Sequence, residues 1–155
     1  PTSGLSPDYI SLYHVNNGSI EYHTNRGLIE KTQGTGNDVS TLVTFTFPAN
    51  TAGKQCQIVL DFSSYRHYIR RDGSQNVDIF TSLYPATHST SDWPAGNGRN
   101  NQLGRVKVHD WSVSTVEWGN MKFPCPSGQT LGYELVPTGD SQHIEWSLGP
   151  DGPKV

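Results

Sequence analysis

The chain has 155 residues, of which 33% are hydrophobic and only 16% charged, with 16 Gly and 10 Pro. A formal net charge of −3 supplies no electrostatic footprint for nucleic acid or an anionic membrane, and no apolar run approaches the ~20 residues that span a bilayer. Four Trp, seven Tyr and five Phe with so little charge argue against a disordered chain and for an all-β domain rich in turns.

In chain order, residues 1–8 are rich in Pro, Ser and Gly and are expected to be a loose N-terminal segment. Extended patterns over 9–15 and 20–23 flank Asn16-Asn17-Gly18, which signals a hairpin with a type I′ turn. Asn17-Gly18-Ser19 is also an N-glycosylation sequon, with Asn17 as the acceptor. After a loop over 33–38, Val39 to Phe47 alternates with period two: Thr41, Val43, Phe45 and Phe47 on one face, Leu42, Thr44 and Thr46 on the other. Gln55 to Phe62 reads as one strand with Cys56, Ile58, Leu60 and Phe62 aligned.

Arg66 to Arg71 reads as a solvated edge segment. Asn76 to Leu83 is a strand, and Tyr84 to Gln102 is the longest irregular stretch. Strands are expected over 103–108, 113–118, 130–136 and 143–148, the last two forming a hairpin turned at Pro137 to Asp140. No window carries a 3.6-residue repeat. The fold expected is therefore a single β domain over residues 1–155, a β-sandwich or β-barrel of about ten antiparallel strands.

Cys56 and Cys125 lie 69 positions apart, without zinc-ligand spacing. They fit either two buried thiols or one disulfide, and the extracellular character of the rest favours the disulfide Cys56–Cys125.

Several stretches carry a family resemblance. They are Ser40 to Pro48 with Ala52-Gly53-Lys54-Gln55-Cys56, Val77 to Phe80, Trp93 to Asn97, Phe123 to Leu135, Gly139-Asp140 and Ile144-Glu145-Trp146. Together these resemble the fungal But2 C-terminal-domain-like family of secreted proteins over roughly residues 40–147. The chain is also similar in size and kind to the hypersensitive-response-inducing elicitors that plant-pathogenic fungi secrete. The resemblance implies a secreted β-rich domain, extracellular or in the cell wall, with its two cysteines paired. It carries over no catalytic residue.

Enzyme signatures are absent from the sequence: no GxSxG, HExxH, phosphate-binding loop or GxGxxG follows a strand. His109-Asp110 beside Ser112 is the one cluster that tempts, and Glu134 with Glu145 is the one carboxylate pair that a final hairpin could join. Oxygen-rich turns at 37–38, 72–78 and 140 suit calcium no better than they suit ordinary turns. Trp118 and Trp146 sit in strand patterns and read as core. The ligand-binding residues expected are Trp93, Asn97, Arg99, Asn100 and Asn101, an aromatic ring beside amide and guanidinium groups. No metal or cofactor is called for. The reading is a monomeric secreted fungal protein that acts by recognition, an elicitor of plant defence, with a plant cell-surface component as partner. The alternatives are a cell-wall polysaccharide-binding module and, third, a small secreted hydrolase.

Overall fold

The computed structural model describes residues 4–32, 38–83, 99–147 and 149–155. Its strands run β1 (Tyr9–His14), β2 (Ser19–Glu21), β3 (Arg26–Lys31), β4 (Val39–Thr46), β5 (Gln55–Gln57), β6 (Val59–Asp61) and β7 (His67–Ile69). Then follow β8 (Asn76–Ser82), β9 (Arg99–Lys107), β10 (Thr115–Gly119), β11 (Lys122–Pro124), β12 (Thr130–Pro137), β13 (Gln142–Ser147) and β14 (Gly152–Lys154). Ten of them form one antiparallel sheet in the order β10-β9-β8-β12-β4-β3-β13-β7, with β1 also on β4 and β2 on β1. Two ribbons, β5–β11 and β6–β14, complete the fold. The expected all-β, antiparallel architecture forms, with fourteen strands among the described residues rather than about ten.

The core lies between the sheet and the ribbons. Val43, Phe45, Val77, Ile79, Leu135, Ile144 and Trp146 from the sheet meet Ile58, Leu60, Phe62 and Met121 from the ribbon side. β4 shows why its sequence alternates yet is buried almost throughout: it has neighbours on both edges, and only Thr46 is exposed. Its buried hydroxyls are paired within the sheet. Thr41 Oγ1 donates to the Leu28 carbonyl at 2.7 Å and accepts the Leu28 N–H at 3.1 Å, which meets the rule that buried polar groups find partners.

Several expectations change. Gln55 to Phe62 is not one strand, because the chain changes partner in the middle. β5 pairs with β11, Ile58 donates to the Met121 carbonyl, and β6 then pairs with β14 at the far end of the chain. The Asn17-Gly18 hairpin forms, but its turn is longer than type I′. Gly18 is left-handed at φ 73° and Asn17 is not, while the Asn17 side-chain oxygen accepts the Ser19 N–H at 2.9 Å. β9 begins at Arg99, inside the stretch expected to be irregular, and pairs with β8 across two register shifts. The last two strands do not form a hairpin pair: β12 lies between β4 and β8, and β13 between β3 and β7. Within the segment 1–8, Leu5 exchanges two backbone hydrogen bonds with Val155.

The disulfide Cys56–Cys125 is formed, with the Cα atoms 5.1 Å apart. It closes the β5–β11 ribbon, where Cys56 stands opposite Phe123 and Cys125 donates its N–H to the Lys54 carbonyl. A cross-link spanning 69 positions removes loop entropy from the unfolded chain, roughly 4 kcal/mol on that account.

Trp146 is core as expected, 1% exposed. Two glycines make room for it. Gly27 stands opposite it in the register, where a Cβ would lie 2.1 Å from the indole, and a Cβ at Gly152 would lie 2.5 Å from Nε1. Trp118 is not core: it is 49% exposed on β10, the sheet's outermost strand, all five of whose residues are exposed. A register shift between Val116 and Trp118 accompanies that exposure.

Candidate functional site

Buried titratable groups, exposed aromatic rings and a concave surface occur together at the β7 edge of the sheet. β7 is a three-residue strand on β13. Alternation sends the side chains of His67 and Tyr68 to opposite faces. The His67 side chain is 2% exposed and sits between two carboxylates. Its Nδ1 lies 2.6 Å from Asp151 Oδ2 and its Nε2 2.9 Å from Asp110 Oδ1. Phe62 and Trp111 pack on the ring at 5.1 and 5.3 Å.

Asp151, only 1% exposed, also accepts the Ser64 N–H at 2.9 Å, and Asp110 reaches Arg71 at 3.6 Å. Neutral imidazole has one N–H, so both contacts are hydrogen bonds only if a further proton is present, on the ring or on a carboxylate. The cluster thus fastens three segments that are remote in sequence: β7, the turn at 110 and the approach to β14. With both ring nitrogens facing carboxylates, neither is directed at a hydroxyl or thiol nucleophile.

Exposed aromatic residues stand about the β7 edge, Trp111 against the His67 ring and Tyr68 on the face opposite it. Tyr65 is 73% exposed, Tyr68 55% and Trp111 63%. Trp111 holds φ 64°, a left-handed conformation unusual for a bulky side chain. Arg66 lies over the Tyr65 ring at 5.8 Å. A cleft of about 310 Å³ opens between Tyr65, Arg66 and Tyr68 on one side and Arg26 and Glu145 on the other. Arg26 and Glu145 are ion-paired to each other at 2.9 Å.

Residues 7–148 match the family described as "Ubiquitin 3 binding protein But2 C-terminal domain". The chain belongs to the But2 C-terminal domain family. A comparison with curated proteins returns no match.

The ligand residues expected in this But2 domain are placed unevenly. Trp93 and Asn97 lie outside the described residues. Asn100 and Asn101 are exposed on β9, where Asn101 exchanges backbone hydrogen bonds with the Thr81 hydroxyl. Arg99 grips Glu134 bidentately at 3.0 and 2.8 Å and lies 4.7 Å from the Phe80 ring centre. Ser40 Oγ donates to the same carboxylate at 2.7 Å. The hydrogen bonds to Glu134 raise the Arg99 pKa, so its charge is held in place.

Glu134 and Glu145 serve separate networks, with β4 and β3 between their strands, so they do not converge on one substrate. Nor do His109, Asp110 and Ser112: His109 faces Thr115 at 2.9 Å while Asp110 turns to His67. In the oxygen-rich turns, Asp72 pairs with Arg70 and Asp78 with Arg105. Asn17 is exposed at its hairpin turn, where its side-chain oxygen accepts the Ser19 N–H. The His67 cluster had no local signal. Its partners lie 43 and 84 positions away, and the run around it read as a solvated edge, which is true of Arg66, Arg70 and Arg71 but not of His67.

Proposed function

We propose that this domain is an extracellular recognition module that acts by binding rather than turnover, and that its contact surface is the aromatic rim around His67. In its finer form the proposal is that a plant-pathogenic fungus secretes it, that a plant cell-surface component reads it, and that the outcome is a defence response. The observation carrying the site is that Tyr65 and Tyr68, both more than half exposed, line one cleft at the β7 edge with His67, and that the exposed Trp111 packs edge-on against the His67 ring. Aromatic rings with an adjacent Arg are the side chains that dominate binding surfaces, and a bulky residue held left-handed at such a place is strain that function can explain. The disulfide suits an oxidising compartment. The family description, which names a binding protein, points the same way.

The test is infiltration of the folded protein into leaves at micromolar dose, beside a Tyr65→Ala/Tyr68→Ala/Trp111→Ala variant shown to keep its fold. Cell death with the native protein and its loss with the variant are expected. Absence of any response to the native protein defeats the elicitor reading. An undiminished response to the variant removes the aromatic rim as its surface.

A further inference from the structure

A second concave site lies where the two chain ends meet the 61–64 loop. A cavity of about 410 Å³ is lined there by Ser6, Asp61, Ser63, Ser64, Pro150 and Lys154, among others. That is within the size range of small-ligand pockets. Lys154 is only 7% exposed and Asp61 6%. The Lys154 ammonium donates to two neutral acceptors, Ser6 Oγ and the Gly149 carbonyl, each at 3.1 Å. Burial pushes its pKa down, against the field of Asp61 and Asp151, which pushes it up. An apolar side chain would serve stability better at such a position.

An adjoining cavity of about 210 Å³ shares Ser6 and Gly149 and has Trp146 in its wall. The indole N–H of Trp146 is buried and has no hydrogen-bond partner among the described residues. An unpaired buried donor beside a cavity that also reaches Ser6 and Asp151 calls for an acceptor that the described residues do not supply.

The balance of groups selects the ligand. An anion attracted by Lys154 would meet the carboxylates of Asp61 and Asp151, and a cation attracted by these would meet Lys154. A neutral molecule with many hydroxyls meets donors and acceptors in alternation at no charge penalty. We propose that the two adjoining cavities together bind a saccharide, with Lys154 in the larger and Trp146 in the smaller donating to its hydroxyl oxygens and Asp61 and the serines accepting from its hydroxyls. Five of the eight residues lining the larger cavity fall outside residues 7–148, so family membership does not by itself supply the site. The inference stands whether or not the aromatic rim has a partner.

The experiment is an NMR amide-shift titration of the full chain with soluble β-1,3-glucan, chitin and mannan oligosaccharides, with inorganic phosphate as the anionic probe. At least one glycan is expected to bind, with shifts at Ser6, Ser63, Ser64 and Lys154. Lys154→Met should weaken it about tenfold or more, the worth of one hydrogen bond to a charged donor, while its thermal midpoint stays level or rises. Ser64→Ala, which keeps the backbone N–H that Asp151 uses, should weaken binding less and decides the matter if Lys154→Met fails to fold. The proposal falls if no glycan binds at millimolar concentration, if the shifts map to Tyr65, Tyr68 and Trp111 instead, or if phosphate binds there and glycans do not.

Discussion

Glu134 and His67 are both buried titratable side chains, 1% and 2% exposed, yet their surroundings are built differently. Glu134 is closed: a bidentate Arg99 and the Ser40 hydroxyl occupy its oxygens, and all of these groups lie within the sheet. His67 joins two carboxylates that come from turns, one of them 27% exposed; the exposed Trp111 packs on its ring, and it lines a cleft. The first arrangement spends charge on holding strands together. The second holds loops in place around concave surface, which is the kind of scaffold a binding site needs.

The largest effect should come from opening the closed cluster. Arg99→Ala leaves a buried carboxylate with one hydroxyl donor, and we expect a loss of about 3–5 kcal/mol in urea unfolding. Adding Glu134→Leu should recover much of it, since the uncompensated charge is then gone. An Arg99→Ala protein of native stability would show that Arg99 is not committed to Glu134 and is free for a ligand.

At the open cluster, His67→Leu should cost somewhat less, about 3 kcal/mol. Asp151, 1% exposed, loses its main partner, whereas Asp110 can turn to Arg71 and water. Asp110→Asn should therefore cost under about 1 kcal/mol. Equal costs for His67→Leu and Asp110→Asn would mean that the cluster is no anchor.

Next in size is a pH effect on the opposite face of β12 from Glu134. Burial raises the Tyr133 pKa to about 12, and the ring packs against Phe45 at 6.0 Å. The folded pKa exceeds the unfolded one, so the contribution is intact below pH ~10 and is lost as pH rises toward about 12. A shift of about two pH units corresponds to roughly 3 kcal/mol. Tyr133→Phe should flatten the alkaline fall in stability between those limits, and an unchanged alkaline profile would refute the assignment.

How far the chain could be read in advance follows from the range of each interaction. The β4 alternation, the Asn17-Gly18 hairpin and the pairing of two cysteines are local or combinatorial signals, and each is realised. The break at Ile58 is not local, because β6 turns to a partner about 90 residues later. Trp118 has the same strand-like neighbours as Trp146, and only position in the sheet, outermost against inner, separates their fates. The site was least legible of all. His67 with Asp151, and Lys154 with Ser6, are pairings across 84 and 148 positions that no spacing announces.

The smallest expected change separates strain from use at the open cluster. Trp111 holds φ 64° while 63% exposed, so its ring gains little burial in return for the conformation. Glycine adopts that φ freely, and Trp111→Gly should stabilise the turn by up to about 1 kcal/mol, less whatever the edge contact with His67 contributes. If the tryptophan is kept for recognition, the same substitution lowers partner binding while leaving the thermal midpoint level or higher. A clear drop in midpoint would show instead that the Trp111 ring seals His67, and that its exposure is a by-product of covering the buried His67–Asp151 contact.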